Sequence, residues 1–461
     1  MQTNILFNKI ILVERRYSQM ESIKKTYLEK ELQAYKADDK NAILRHALVK
    51  NSLLSVASSQ DDIKEMDFNF DINIKTLPAA NQKASGRCWL FAATNVCREV
   101  IAKKLNLNNF ELSQSYLAFY DRLEKSNYLL EAVIELINEE YDERTLAFLL
   151  QNGVGDGGQW DMFVNLVNKY GLCPKNVYPE TSTSSGTRET AQLINFTIRK
   201  FASDAKALYK KNGLEAVRKE KEAVLNKIYF LLIDAYGVVP EKFDFEYTDK
   251  DGNYHIEKGF DALSFKDKYL GDSLNDYVSL INAPTKDKAF GKTYTVKYLG
   301  NVVGGKDVTH LNVDMDRMKE LILKQLRDDR IVWFGSDVGF YGDREEGVWD
   351  DTRFDLKTPF GLDLKMNKGE SLDYHASQMN HAMCITGVSF REGKPSKWKI
   401  ENSWGKDRAK DGYYIMSGSW FDQFVYQAVV DKKYLNEEEL KALKEQPIVL
   451  KPWDPMGSLA D

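Results

Sequence analysis

The spacing of apolar residues predicts that the first half of the chain is largely α-helical. Between residues 22 and 57, apolar side chains recur every three or four positions, and a polar break near 37–39 divides them into two amphipathic helices. We expect these helices to lie over the body of the protein. The same spacing predicts helices over residues 89–105, 113–123, 127–138 and 159–170, and a lysine-rich helical segment from 184 to about 235.

The pattern changes after Asp314, where short β-prone runs replace the helical spacing. Each run is rich in β-branched and aromatic residues and is bounded by glycine or charged residues, which is typical of strands. The runs cover residues 331–338, 382–390, 397–402 and 412–415. A helical first half and a β-rich C-terminal part together indicate the α+β class.

Composition excludes several classes of protein. The 461 residues carry 64 Lys and Arg against 69 Asp and Glu, so the net charge of −5 gives no overall attraction to a nucleic-acid backbone. No apolar run reaches the ~18 residues of a membrane-spanning helix, and we expect no membrane association. Four cysteines without a CxxC pair fit neither a disulfide scaffold nor a zinc ribbon. We therefore expect a reducing compartment and no bound metal.

Cys88 is a candidate nucleophile because it begins the predicted helix at 89–105. The helix dipole and the unpaired N–H groups of a helix N-terminus favour the thiolate, so we expect a lowered thiol pKa. A lone cysteine beside a tryptophan is also typical of a buried core residue. The catalytic interpretation of Cys88 therefore requires a base elsewhere in the chain.

His381 is the best candidate base, because it opens the predicted strand at 382–390. Asn402, 21 residues later, can accept a ring N–H of the imidazole and hold its orientation. Trp404 follows closely and would shield that hydrogen bond from water. His375 is the competitor, but it lies in a predicted loop. The other histidines lie among polar or turn residues and are interpreted as surface residues: His46, His255 and His310.

Four sequence blocks in this order resemble the papain-like cysteine peptidases. They are Gln82, Gly86–Trp89, residues 380–382 and residues 402–405. The resemblance implies that Cys88 is the nucleophile, His381 the general base and then acid, and Asn402 the residue that orients His381. It also implies an oxyanion hole formed by the Gln82 side-chain amide and the Cys88 backbone N–H, and a substrate-backbone site at Gly157 and Gly158.

Within this family the chain most resembles the bleomycin hydrolase and aminopeptidase C branch. The blocks that carry this resemblance are residues 81–89, 112–116, 332–339, 379–383 and 452–460. The resemblance implies a two-lobed papain-like fold and a cytoplasmic homohexamer whose active sites face an internal channel. It further implies removal of N-terminal residues from peptides that have a free amino terminus, bleomycin-hydrolase-like amide hydrolysis, and no cofactor.

The departures from the family pattern set the expected domain boundaries. Ser85 and Gly155 stand where secreted members carry a disulfide, which suits a reducing cytosol. His381 follows Cys88 by 293 residues, against about 130–150 in the family, so roughly 150 residues are inserted. We expect an N-terminal extension over 1–20, helices packing on the core over 21–77, a helical lobe with the nucleophile over 78–183, a helical insertion with oligomer contacts over 184–313, a β-rich lobe with His and Asn over 314–446, and a C-terminal arm over 447–461.

The C-terminal arm is expected to run extended, because Pro452, Pro455 and Gly457 disfavour a helix. The resemblance implies that its end lies in the non-primed side of the cleft. There the terminal carboxylate would pair with the substrate ammonium group, at Ala460 or Asp461, depending on whether the last residue is removed.

An alternative function is nucleic-acid binding, with peptidase activity secondary, because the inserted segment is rich in basic residues. Interleaved glutamates favour a solvated helix face instead. The basic residues are Lys200, Lys206, Lys210, Lys211, Arg218, Lys219 and Lys221.

Overall fold

The computed structural model describes residues 20–59, 66–342 and 346–460. Contacts divide the chain into a small unit, drawn from residues 1–60 and 354–364, and a large unit containing the rest. Apart from Met20, the predicted N-terminal extension lies outside the described residues.

The small unit is helical, as the apolar spacing predicted. Helix Lys25–Lys36 ends just before Asp38, whose carboxylate caps the next helix, Asp39–Leu48. The break near 37–39 therefore lies where the sequence placed it. The described residues of this unit also form two short helices, Leu53–Ala57 and Lys357–Phe360.

In the large unit, one long helix replaces two predicted ones. Residues 113–123 and 127–138 belong to the continuous helix Gln114–Glu135. The polar residues that interrupted the apolar pattern are buried with partners inside the protein: the Lys125 ammonium lies 2.7 Å from an Asp121 carboxylate oxygen, and Ser126 donates to the Arg122 carbonyl at 2.6 Å. The remaining helices are Cys88–Leu105, Arg144–Asn152, Trp160–Tyr170, Ser182–Ser185, Arg188–Tyr236, Ala262–Tyr269, Met315–Arg327, Lys368–Asp373, Gly418–Phe424 and Glu437–Ala442, with 3-10 turns at Ser273–Asp276, Lys432–Tyr434 and Pro455–Ala460.

The segment predicted as a helical insertion, 184–313, is mainly helical as far as Tyr236. Beyond Tyr236 its helical parts are the short helix Ala262–Tyr269 and the 3-10 turn Ser273–Asp276. Helix Arg188–Tyr236 is broken at Gly213, whose φ of 79° is a left-handed value that glycine adopts without strain. A hairpin of Phe243–Thr248 and Tyr254–Phe260 follows, and then three strands join the main sheet. These strands have three to five residues, too few to show a clear alternation in the sequence: Tyr277–Ile281, Thr293–Val296 and His310–Asn312.

Eleven strands of the described chain form one sheet. Strand His381–Arg391 pairs antiparallel with Lys394–Glu401, and Glu401 lies opposite Cys384. The start of the first strand and the end of the second therefore meet at one edge. The order across the sheet is Ile448–Leu450, Thr293–Val296, His310–Asn312, Tyr277–Ile281, Val425–Asp431, Val332–Ser336, His381–Arg391, Lys394–Glu401, Tyr413–Ser417 and Val348–Trp349, with Ile72–Asn73 beside His381–Arg391.

Helix Cys88–Leu105 packs on this sheet and is buried over most of its length. The Trp333 indole donates to the Trp89 carbonyl at 3.2 Å, and the Cys384 thiol donates to the Ala92 carbonyl at 3.2 Å. Two neighbouring strands are thus tied to the first two turns of the helix. This packing places Cys88 at the sheet edge where the strand of His381 begins.

Candidate active site

Cys88 is the first residue of its helix and is buried, with 4% of its surface exposed. Its sulfur accepts a hydrogen bond from the backbone N–H of Ala382 at 3.4 Å. Because Ala382 follows His381, this bond joins the start of the helix to the start of the His381 strand. The structure therefore brings together two residues that are 293 positions apart in the sequence.

The expectation of a lowered thiol pKa is wrong for this structure. Burial raises the pKa of Cys88 to about 11, and the negative charge of Asp156 also raises it. The backbone N–H groups of Ala382 and Trp89 act in the opposite direction but are outweighed. Loss of hydration at this site thus exceeds the stabilisation that a helix N-terminus gives a thiolate. Formation of the thiolate requires a base that takes its proton.

His381 is held by Asn402 as its predicted role requires. The His381 Nε2 atom lies 2.9 Å from Asn402 Oδ1, and both residues are buried. Trp404 stacks on the imidazole with ring centroids 4.8 Å apart and planes inclined by 24°. The indole covers the ring and keeps water from the hydrogen bond.

Gln82 lies beside this pair and is fixed at both ends of its amide. Its Oε1 accepts the Ser403 hydroxyl at 2.6 Å, and its Nε2 donates to the Ser85 carbonyl at 2.6 Å. The backbone N–H of Gln82 also donates to the Ser403 carbonyl at 2.8 Å. The first bond orients the amide so that its NH2 group lies on the Ser85 side, and the bond to Ser85 uses one of its two N–H groups.

Two further residues organise the site, and the sequence reasoning assigned them no role. Ser403 donates its backbone N–H to Asn402 Oδ1 at 2.7 Å, so it contacts both Asn402 and Gln82. Asp156 accepts the Gly86 N–H at 2.9 Å and pairs with Arg122. Burial raises the pKa of Asp156, but the charge of Arg122 and the hydrogen bonds to the carboxylate outweigh it and leave the pKa below its ordinary value. The sequence signal for Ser403 was its place inside the block 402–405, and the signal for Asp156 was its place next to Gly157 and Gly158.

Gly158 lies against the Trp89 ring, next to Cys88. A Cβ atom on Gly158 would lie 2.5 Å from the Trp89 ring, so this close approach requires glycine. The Gly158 N–H donates to the Leu459 carbonyl at 2.9 Å, and Lys125 donates to the Gly157 carbonyl. The backbone donor expected to hold substrate is therefore engaged by the C-terminal arm.

The arm itself differs locally from the expected extended course. Its last described residues, Pro455–Ala460, form 3-10 turns, in which the Met456 N–H donates to the Asp454 carboxylate at 2.9 Å. Pro455 suits the first position of such a turn, where no backbone donor is needed. Leu459 is buried, and Ser458 donates to the Met379 carbonyl at 2.9 Å. The Ala460 side chain and Asp461 lie outside the described residues, so their predicted contacts stay predictions.

One of the three histidines interpreted as surface residues requires a correction. His310, predicted at the surface, is fully buried and lies 2.7 Å from the Ser279 hydroxyl, because its short strand is an interior one. Burial lowers the pKa of His310 to about 4. His375 lies exposed in a loop, as expected. Cys97, Cys173 and Cys384 are buried and unbridged.

Two features of the described residues bear on the excluded classes of protein. No described helix combines the length and apolarity needed to span a membrane. Over residues 20–59, 66–342 and 346–460, no cluster of three His, Cys, Asp or Glu side chains is suited to hold a metal ion.

The basic residues behind the nucleic-acid alternative are largely paired. Lys200 forms an ion pair with Asp204, and Lys206 forms one with Glu140. Arg218 and Lys221 both pair with Glu131. Four of the seven basic residues therefore have carboxylate partners. This pairing gives the alternative no support.

The model of the Peptidase C1-like family matches residues 22–457. The chain belongs to this family. Within the Peptidase C1-like family it is 45% identical over 422 residues to Aminopeptidase C of Lactobacillus delbrueckii subsp. lactis, covering 91% of this chain and 94% of that protein. It is 40% identical over 392 residues to Bleomycin hydrolase of Rattus norvegicus, covering 83% and 86%.

A crystal structure of PepW from Lactobacillus rhamnosis HN001 is 44% identical, with a TM-score of 0.92 over 95% of this chain and 99% of that chain. These similarities confirm the predicted papain-like α+β fold and the prediction of a cysteine-type aminopeptidase, a hydrolase.

Proposed function

We propose that this member of the Peptidase C1-like family removes N-terminal residues from peptides through a thioester acyl-enzyme on Cys88. The observation that carries the proposal is the joint placement of three residues. His381 Nε2 lies 2.9 Å from Asn402 Oδ1, while the N–H next to His381 bonds the Cys88 sulfur. A nucleophile, a base and an orienting group are the parts that covalent catalysis requires.

The first step is transfer of the Cys88 proton to His381. Because Nε2 is engaged with Asn402, Nδ1 is the ring nitrogen that takes the proton. The resulting imidazolium lies beside the thiolate and offsets its loss of hydration, which the helix N-terminus does not do by itself. The thiolate sulfur then attacks the scissile carbonyl carbon, and the carbonyl electrons move to oxygen.

The oxyanion accepts hydrogen bonds from Gln82 Nε2 and the backbone N–H of Cys88. Ser403 fixes the Gln82 amide before substrate arrives, so little reorganisation is needed when the charge develops. One donor of this kind contributes on the order of 10²–10³ to kcat.

Collapse of the tetrahedral intermediate breaks the C–N bond, and the leaving amine takes the proton from the His381 imidazolium. The product of this step is a thioester between Cys88 and the N-terminal residue. His381 then removes a proton from water, which attacks the thioester carbonyl and releases the free amino acid. The sulfur recovers its proton, and the site returns to its starting state.

The C-terminal arm supports exopeptidase specificity. The Leu459 carbonyl accepts the Gly158 N–H, and the Leu459 side chain is buried beside Gly335. The arm therefore fills the positions that residues further from the scissile bond would need. We propose that the terminal carboxylate, on Ala460 or Asp461, pairs with the substrate ammonium group.

We also propose that the enzyme is a cytoplasmic homohexamer with sites facing an internal channel, and that it hydrolyses bleomycin-like amides by the same chemistry. Exposed apolar side chains on helix Arg188–Tyr236 support subunit contacts, since such side chains are typical of interaction surfaces. They are Leu193, Phe196, Leu214 and Phe230.

The test compares an aminoacyl fluorogenic amide with its N-acetylated form. We expect hydrolysis of the free-amine substrate alone, abolished by Cys88→Ala. Deletion of residues 458–461 is expected to lower kcat/KM for the free-amine substrate and to admit the blocked one. Deletion of Asp461 alone is the control and should keep the preference. An unchanged ratio in the longer deletion would remove the arm from the specificity mechanism, and activity in Cys88→Ala would refute the proposed nucleophile.

A further inference from the structure

A buried ion pair joins the helix of Cys88 to the strand that ends next to Asn402. Arg98 Nη2 lies 2.5 Å from Glu401 Oε1, with 2% of the Arg98 side chain and 0% of the Glu401 side chain exposed. Asn95 Nδ2 donates to the same Glu401 oxygen at 2.9 Å. Both partners of Glu401 thus come from one helix.

Arg98 is also tied to the segment that leads to Gln82. Its guanidinium donates to the carbonyls of Leu77 and Pro78 at 3.1 and 3.0 Å. Glu99 accepts the Leu77 N–H at 3.0 Å, and its pKa is raised by burial and by the charge of Glu401. Other titratable groups that interact electrostatically with this cluster are Glu111, Tyr413, Cys384 and Lys399.

The geometry relates this cluster to the reacting groups. Asn95 follows Cys88 by seven residues, about two helical turns, so the two residues share a helix face. Glu401 directly precedes Asn402 at the end of its strand. Apolar packing between a helix and a sheet tolerates small sliding movements, whereas a shift here would separate a fully buried carboxylate from its counter-ion, which is strongly unfavourable.

We infer that Arg98, Asn95 and Glu401 are positioning residues that fix Asn402, and through it His381, relative to Cys88. This inference rests on the proposed function of those three residues. A displacement of ~1 Å at a catalytic site can cost about 10²-fold in rate. The loss should fall on kcat, because Asn402 and His381 act on proton transfer in the proposed mechanism and not on the binding of substrate.

The experiment uses Glu401→Gln, which keeps the side-chain shape and removes the charge, and the double variant Arg98→Met/Glu401→Met. The double variant removes both charges of the pair and leaves Glu99 with the hydrogen bond from the Leu77 N–H. Replacements of a buried ion pair by apolar residues often fold. The control is Glu439→Gln, because Glu439 pairs with Arg317 at 2.7 and 2.8 Å between two helices that carry no candidate catalytic residue. For each, kcat, KM, the melting temperature and the rate of Cys88 alkylation are measured.

We expect kcat and the alkylation rate to fall about 10- to 100-fold in both test variants, with KM changed less than about threefold. The control should lose thermal stability but keep kcat. A folded test variant with wild-type kcat and alkylation overturns the inference. Failure of both test variants to fold would also count against it, because the pair would then be structural. Activity in Cys88→Ala would instead overturn the proposed function, so the two failures are distinguishable.

Discussion

Replacing His381 by alanine removes the proton acceptor while leaving Cys88 at the start of its helix. Burial holds the pKa of the Cys88 thiol at about 11 in this site. If His381 is the group that makes the thiolate accessible near neutral pH, the His381→Ala variant should titrate as a buried, unassisted thiol. Its reaction with a neutral alkylating reagent should then rise with pH until about pH 11.

The magnitude follows from the same value. At pH 7 a thiol with a pKa of about 11 is four pH units below its midpoint, so ~10⁻⁴ of it is thiolate. A thiolate of higher pKa is intrinsically more nucleophilic, by about 0.4–0.5 logarithmic units per pKa unit, which recovers roughly half of that loss. We therefore expect alkylation at pH 7 to slow on the order of 10²-fold relative to the wild type.

The assay is the rate of iodoacetamide labelling between pH 5 and 11, followed by mass spectrometry of the peptide that contains Cys88. The other three cysteines are buried and serve as internal references. His375→Ala, which changes an exposed loop histidine, is the matched control and should label like the wild type. Labelling of His381→Ala at the wild-type rate, or with a midpoint below pH 8, would refute the assignment of His381 as the base.

The remaining predictions concern the oxyanion hole, acid stability and assembly. Gln82→Ala should lower kcat by about 10²–10³ with little change in KM, because its donor acts on charge present in the transition state; a change in KM alone would make Gln82 a binding residue. The pKa of His310 is lowered from 6.5 to about 4, so the folded state binds fewer protons than the unfolded state between these values. The free energy of unfolding should be highest above pH 6.5 and should fall by up to about 3 kcal/mol as the pH is lowered towards 4. Urea titrations of His310→Gln should not show this part of the loss. Light scattering at micromolar concentration should report a hexamer, and a monomer would contradict the proposed subunit contacts.

The sequence by itself determined the parts of the protein that depend on local pattern. Apolar spacing predicted the helix that begins at Cys88, and the β-prone runs predicted the strands that carry His381 and precede Asn402. These elements are long enough for their periodicity to be visible. The short sequence blocks around Cys88, His381 and Asn402, and their order along the chain, were sufficient to indicate the family and the candidate chemistry.

The tertiary structure decided whatever depends on burial and on distant partners. Polar residues from Glu124 to Ser126 suggested a break, yet they lie inside a continuous helix because the fold supplies their partners: Lys169 of another helix pairs with Glu124, and the Arg122 carbonyl of the same helix accepts the Ser126 hydroxyl. His310 was predicted at the surface and is buried, because its strand is too short to reveal which neighbours cover it. Sequence reasoning sees the polarity of a residue, but not whether the fold offers it a partner.

The same limit applied to the electrostatics of the site. A helix N-terminus suggested a lowered pKa for Cys88, whereas packing against the strand of Ala382 removes water and raises it. The Leu459 carbonyl reaches Gly158 from 301 residues further along the chain, and no local pattern carries that contact. The sequence determined which groups are available for catalysis. Only the tertiary structure decided their hydration and their neighbours, because both are set by residues that are distant in the chain.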